Sequence, residues 1–376
     1  MGNYVNHMVY IPPFAHPEIS GVTFGGFMVG KYQASQPNAT PDDDNPDVAD
    51  SADPAATPAI TQPGVAPWRY ITFHQAREAA ANLGVGWHLV TAFEWASLVL
   101  WAQANGTMPH GNNANTNPPA DVTYTTELAL LDRAGFARNS GWFPCLTGTG
   151  PNTWAHNHQA DGVFDLNGNM WEWNDGLLLM PATQNDSNSV QIGSGSTAGH
   201  VLILGTLQVT QARAPYGAST ATGVNSLTDA NKGWTVNEFA GMYLYDIAGV
   251  LHLIASNTAT ILTLTAGGAT PTGGAYSILK YVATNVVTGM SNGNKILTLR
   301  NTDASLKPFA IPATSDATGA TKYGADGYWF DTAGLRAALR GGGWDYGASA
   351  GVFALYLGSS PSDSFSDSGL RVARSL

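Results

Sequence analysis

Charged residues are scarce in this chain. They make up 11% of 376 positions, less than half the usual share of a soluble domain, which disfavours long solvent-laced helices. Lys and Arg number only 16 against 27 Asp and Glu, giving a formal net charge of -11. Phosphate backbones need clustered cations, so nucleic acid is excluded as a partner. There is one cysteine, Cys145, so no intrachain disulfide framework and no Cys-pair metal or redox site can form; its expected role is that of a small buried hydrophobe. No run approaches the roughly 20 apolar residues of a membrane span, and membrane insertion is not expected. Met1 to Phe14 lack the basic start and apolar stretch of a signal peptide, so synthesis and folding in the cytoplasm are expected. Catalytic signatures are missing too: there is no Gly-x-Ser-x-Gly elbow, no His-Glu-x-x-His and no phosphate-cradling Gly loop with Lys. His156 and His158 stand two apart without a third ligand at recognisable spacing, and read as loop histidines.

What is plentiful is glycine (43) and proline (21), with 44% hydrophobic residues. That mixture predicts short strands, many turns and a sizeable core. Apolar and polar residues alternate through Val5 to Ile11 and Val22 to Tyr32, as in half-buried strands. Gln36 to Val65 is rich in Asp, Pro, Ala and Thr; its run Asp42 to Asp47 lacks the central Gly and terminal Glu of an EF-hand and reads as a solvated loop. Two helices carry good start signals, one after Thr72 running to Leu83, the other opened by the capping box of Thr91 and Glu94 and running to about Ala104. A weaker third is expected over Thr126 to Ala134, after a loop from His110 to Ala120. From about Ser189 to Lys295 the texture turns to Thr, Ala, Gly, Val and Leu, with alternation at Gly241 to Ile254 and Thr258 to Thr265, which predicts an all-β segment. Aromatic, Gly-rich sequence returns at Tyr323 to Phe330. The organisation expected is therefore a domain split into residues 1–190 and 296–376, with a β-rich domain, 191–295, inserted.

The most specific motif is Gly162-Val-Phe-Asp-Leu-Asn-Gly-Asn-Met-Trp-Glu-Trp173. Gly168 and Asn169 supply a tight turn, Trp171 and Trp173 are core anchors, and Glu172 can tie down backbone N–H groups. The motif resembles the signature of the formylglycine-generating enzyme group within the C-type lectin fold. Phe27 to Gln33, Gly86 to Trp95, and Arg340 to Trp344 with Gly369 to Ala373 match that group in the same order. The resemblance implies an α+β, loop-rich fold of that subtype with two or three helices plus the inserted all-β domain. Members of the group hold calcium where Asp165 and Glu172 align, with carbonyls near Asn167, Gly168 and Met170; a structural calcium would brace that loop, while no cofactor is required. The triplet Trp173-Asn174-Asp175 matches a sugar-binding signature of true C-type lectins, but its companion Glu-Pro-Asn is absent.

The formylglycine-generating chemistry needs a pair of thiolates near the end of the chain, and no cysteine follows Cys145. An enzyme of that kind is excluded. The C-terminal segment, 344–371, instead resembles the variable cassette of the proteins diversified by diversity-generating retroelements, the group that includes a phage's major tropism determinant. The resemblance makes Trp344, Gly347, Ala350 to Leu355, Leu357, Gly369 and Arg371 fixed framework, and Asp345, Tyr346, Ser349, Tyr356, Gly358, Ser359, Asp363, Phe365 and Asp367 the exchangeable, ligand-binding positions. Residue chemistry agrees. Strand alternation sends Phe353, Leu355 and Leu357 to one face and Ala354, Tyr356 and Gly358 to the other, and the spacing of Asp363, Phe365 and Asp367 presents all three together if extended. Tyr, Phe, Asp, Ser and Gly are all reachable from an asparagine codon by changing its adenines; Lys, Glu, Gln, Met and Trp are not, and none of these occurs between Asp345 and Ser368.

The expectation is a receptor-binding protein carried on a phage or prophage tail, its partner a surface receptor, protein or glycan, alongside other tail components. Stretches such as Trp234 to Asn237, Ile254 to Thr260 and Gly274 to Ile278 look like small β modules of phage tail proteins, which suits a spacer or docking domain. Two other readings stay open from the residues alone: an invariant structural tail protein, and an enzyme of unknown type on the same fold.

Overall fold

The computed structural model describes all residues except 1–5, 16–21, 42–52, 54, 134–140, 194–196, 209 and 301. The acidic run Asp42 to Asp47 and Val5 lie outside the described residues. The architecture is mixed α+β, mostly sheet, with two α-helices and no closed barrel among the described residues.

Both helices start where their capping residues demand. Helix α1, Phe73–Ala81, has Thr72 as N-cap in a reciprocal box with Gln75, and α2, Ala92–Asn105, has Thr91 in the same relation to Glu94. Each box satisfies N–H groups that the first helical turn leaves free. Helix α2 ends at Gly106, whose φ of 68° is the left-handed turn that closes many helices. Its residues from Ala92 to Leu100 are all buried, so it runs through the core rather than over it.

The third expected helix is not formed through Asp132. Leu128 pairs with Ala120 and Leu131 with Cys145 as isolated bridges. The pattern there has a period of two: Leu128 and Leu130 are exposed while Ala129 between them is buried, which suits extended chain. The remainder of that segment, 134–140, is outside the described residues.

A four-stranded sheet joins the two ends of the chain. It is built from β1 (Met8–Ile11), β2 (Phe27–Gly30), β3 (Trp87–Leu89) and a C-terminal strand, Val372–Ser375, that lies between β2 and β3. The larger sheet has 13 strands. Its centre is β4 (Trp171–Leu179), buried at every residue. On one side β4 pairs with β5 (Val201–Leu204); β5 pairs in turn with β9 (Ala275–Val282), and from β9 the sheet continues through β6 (Tyr243–Tyr245), β7 (Leu251–Asn257) and β8 (Ile261–Leu264). On the other it pairs with β10 (Arg336–Gly341), then β11 (Gly351–Leu357), then β12 (Tyr328–Phe330), the last pairing being parallel.

The alternating stretches of the middle segment thus form strands β6 to β8, and they extend the central sheet instead of closing on themselves. A small core of their own, with Leu227, Trp234, Phe239, Leu244, Ile254 and Leu262, sits at that end. Leu202, Tyr245, Leu251 and Leu279 belong to the main core with Trp68, Phe73, Trp95 and Trp173. Arg77 of α1 fastens the junction: its guanidinium donates to Asp175 Oδ2 at 3.1 Å, to the carbonyls of Tyr245 and Asp246, and to Ser277 Oγ.

Cys145 is fully buried with Tyr32, Trp154 and Phe164, and burial pushes its thiol up. His156 is also buried; its Nδ1 accepts from Val163 N at 2.9 Å, while His158 contacts the carbonyl of Met108.

Candidate functional site

Strand β11 is held from three directions. The Trp95 indole of α2 donates to the Val352 carbonyl at 2.8 Å, Arg340 Nη1 donates to the Phe353 carbonyl at 3.1 Å, and Asp326 Oδ2 accepts from Phe353 N at 2.7 Å. Arg340 reaches on to the carbonyls of Phe309 and Ala310. Gly351 is required at the strand's start, because a Cβ there would lie 2.1 Å from the Asp326 carboxylate. Phe353, Ala354, Leu355 and Leu357 are fully buried. The strand is therefore covered on both faces, and Tyr356 is its one half-buried side chain. Asp326 carries no sequence signal that sets it apart as support for this segment, and Arg340, which opens the matched segment Arg340 to Trp344, is not marked there for that role.

Register decides what surrounds Tyr356. It stands opposite Trp329 of β12 and Leu339 of β10, and directly paired residues project to the same face. Trp171, at the start of β4, comes from the other side, its backbone N–H donating to the Asp367 carbonyl at 2.7 Å. Tyr346 enters from the turn after Trp344. Its ring stands edge-on to Trp171 with centroids 5.2 Å apart and to Trp329 at 5.5 Å; Tyr356 lies 5.7 Å from Trp171 and 6.2 Å from Trp329. Trp171 also meets Trp329 edge-on at 5.6 Å. Four rings from four segments form one cluster.

Beside the cluster lies a cleft of about 170 Å³ lined by Trp171, Leu339, Tyr346, Tyr356, Ser359, Phe365, Asp367 and Ser368. Five of the nine candidate positions meet in it: Tyr346, Tyr356, Ser359, Phe365 and Asp367. Phe365 is 44% exposed and Ser359 only 2%. Asp345 is exposed next to the cleft, and Ser349 and Gly358 are half-buried outside it. Asp363 departs from the expected trio. After Pro361 the chain turns rather than extending, so the Asp363 carboxylate folds back to accept from Ser360 N at 2.8 Å, and only Phe365 and Asp367 reach the cleft. The sequence flagged Trp171 as a core anchor and the aromatic return that holds Trp329, but spacing gave no sign that these two would stand beside Tyr346 and Tyr356.

Electrostatics at the cleft are one-sided. Burial, and then the neighbouring Asp345 carboxylate, raise the Asp367 carboxyl to about 6. Burial also raises Asp345 and pushes the Tyr346 hydroxyl up to about 12. None of the eight lining residues is basic.

The two positions aligned with a calcium site are both buried, Asp165 at 2% and Glu172 at 0% exposure. Arg371 grips Glu172 with Nη2 to Oε1 at 2.7 Å and Nε to Oε2 at 2.9 Å. Gln33 Nε2 lies within hydrogen-bonding reach of the Asp165, Gly168 and Met170 carbonyls and of Glu172 Oε1. Asp165 turns away, its Oδ2 accepting from Gly148 N at 2.7 Å. Glu172 and the carbonyls of Asp165, Gly168 and Met170 thus already accept from an amide or a guanidinium, while Asp165 Oδ1 has no hydrogen-bond partner. Among the described residues no group of three or more His, Cys, Asp or Glu is placed to hold a metal.

No family model matches the chain, and no curated protein matches it. No helix among the described residues is long and apolar enough to cross a membrane.

Proposed function

We propose that this chain is a display protein: a C-type lectin scaffold of the formylglycine-generating type that offers an exchangeable cassette, 344–371, to a surface receptor, protein or glycan. Carried on a phage or prophage tail in several copies, such sites would bind by avidity even where each is weak. The observation that carries the reading is the contrast along one segment. Phe353, Leu355 and Leu357 are sealed at 0% exposure and the backbone between them is tied to Trp95, Asp326 and Arg340, while Tyr346, Tyr356, Phe365 and Asp367 gather around one open cleft, which Ser359 lines from a buried position. A main chain fixed by groups outside the cassette tolerates changes in what faces outward.

The composition of the cleft suits recognition. Tyr and Phe give contact area at low entropic cost, and Ser adapts its hydrogen bond. Catalysis by paired thiols is not part of the proposal, since Cys145 is buried away from the cleft. The Glu172–Arg371–Gln33 cluster serves in it as a metal-independent brace for the loop beneath Trp171.

Sequencing this gene from independent isolates tests the proposal. Substitutions should concentrate at the nine candidate positions between Asp345 and Asp367. An even spread along the gene would instead favour an invariant structural protein.

A further inference from the structure

The cleft contains one carboxylate, three aromatic rings in its wall besides Phe365, and no positive charge. Its chemistry therefore narrows the kind of group it takes. Aromatic faces attract cations through the ring quadrupole, most strongly when the cation is desolvated. The Asp367 carboxylate is flanked by Asp345, not by a lysine or arginine. The charges around it are known from each side: Asp345 and the Tyr346 hydroxyl on the turn, and the Tyr356 hydroxyl on β11, behind which Arg336 is already paired with Asp331 at 2.6 Å. A carboxylate held among rings without a counter-ion is an incomplete ion pair, and burying it so is costly until a cation arrives.

We propose that the cleft of this cassette binds a quaternary ammonium group on a stem that bears no anion. The inference rests on the display reading for its choice of site and goes beyond it in naming the ligand chemistry. A primary ammonium needs three acceptors when it leaves water; in the cleft Asp367 is the one anionic acceptor, and the Ser368 hydroxyl is already engaged with the Phe365 backbone. A quaternary ammonium needs none: its methyl groups pack on Trp171, Tyr346, Tyr356 and Leu339 while its charge faces Asp367. A volume of about 170 Å³ accommodates such a headgroup. A phosphate next to the cation would meet Asp345 and Asp367 together, which disfavours phosphocholine relative to choline. Trp171 and Leu339 are framework to the exchange and Tyr346, Tyr356 and Asp367 are not, so the preference belongs to this version of the cassette.

Titration of the whole protein with choline, followed by calorimetry and tryptophan fluorescence, tests it. The comparison ligands are choline's neutral isostere, in which a quaternary carbon replaces the nitrogen, then phosphocholine, and methyl glucoside as a neutral sugar. Choline should bind roughly tenfold or more tightly than the isostere and several-fold more tightly than phosphocholine, and should weaken as pH falls through 6, where Asp367 gains its proton. Asp367→Asn should reduce the preference for choline over the isostere severalfold, the rings keeping the remainder, while the melting temperature stays at or above that of the parent. Equal binding of choline and isostere, or binding of the glucoside alone, overturns the cation assignment; phosphocholine binding as tightly as choline overturns the anion-free stem. These outcomes are separable from the display reading. If exchanges at Tyr346 and Phe365 leave the fold intact while choline is ignored, only the ligand class fails; if such exchanges unfold the protein, the display reading fails whatever choline does.

Discussion

Arg371 and Glu172 lie 199 residues apart in the chain and meet in a two-point ion pair, 2.7 and 2.9 Å, with neither side chain exposed. The same guanidinium donates to the carbonyls of Gly30 and Phe164 at 2.9 Å, so it joins the first strands, the central motif and the end of the chain at one point. Breaking such a pair from one side leaves a buried charge uncompensated, a loss of about 3–5 kcal/mol. Arg371→Met should therefore destabilise the protein by that order in urea unfolding, and Arg371→Lys should recover only part of it because an ammonium cannot grip both oxygens in plane.

Since Arg371 and Gln33 already satisfy the oxygens around Glu172, calcium should add nothing. Thermal unfolding in excess calcium and then in excess chelator is expected to give the same midpoint. A rise with calcium would mean that Asp165, whose Oδ1 has no hydrogen-bond partner, swings toward the motif to complete a site.

The cassette predicts two classes of substitution within one strand and its neighbouring turn. Tyr356→Ser and Phe365→Ser remove half-exposed or exposed rings and should cost no more than about 1 kcal/mol. Leu355→Ala and Phe353→Ala, from positions at 0% exposure, should cost about 3–5 kcal/mol. Equal losses in both classes, measured by chemical unfolding, would remove the basis for a replaceable surface on a fixed strand.

Some of this was legible in the residues and some was not, for physical reasons. The helix starts were, because capping is a local device: Thr72 ahead of its Ala-rich stretch and the box of Thr91 with Glu94 carry the signal within a few residues, and the structure adds Gln75 as the partner of Thr72. The strands at Tyr243–Tyr245 and Leu251–Asn257 were visible in alternation, yet their joining of the central sheet was not, because pairing with β9 is a long-range choice that a period of two does not encode. The false helix over Thr126 to Asp132 shows the limit of composition: short apolar runs fit either period, and exposure of Leu128 and Leu130 decides. Within the site, Tyr346, Tyr356 and Asp367 could be singled out from the cassette pattern. Leu339 and Asp326 could not, since only register and the Gly351 contact bring them there.

Arg77 gives a test of how the middle strands depend on the rest. It spans from Asp175 on β4 to Tyr245, Asp246 and Ser277, and Ser277 Oγ itself donates to Asp175 at 2.6 Å. Arg77→Leu keeps bulk but strands the Asp175 carboxylate and two buried carbonyls, so a loss of about 3 kcal/mol or more is expected. Hydrogen exchange should localise the added opening to Tyr243–Tyr245 and Ala275–Val282, leaving β11 protected; uniform loss across both would show that the sheet unfolds as one unit.

The Asp367 carboxyl sets a pH dependence whose direction follows from its surroundings. Burial first, and Asp345 second, raise it from 3.8 to about 6, so folding favours the protonated form. Its contribution to stability is fully present below pH 4, fades as pH rises through 6, and is absent above. The rise from 3.8 to about 6 corresponds to at most about 3 kcal/mol, and the partial exposure of the side chain brings the expected figure to about 1–3 kcal/mol. Asp367→Asn abolishes the ionisation. The variant should match the parent near pH 4 and exceed it near neutrality, the gap opening between those limits in urea unfolding followed across pH. Because Asp345 supplies part of the shift, Asp345→Asn should narrow that gap without closing it. A gap that stays constant with pH would mean that Asp367 ionises as freely in the folded protein as in the unfolded chain, and the carboxylate would then hold no unmet demand for a cation.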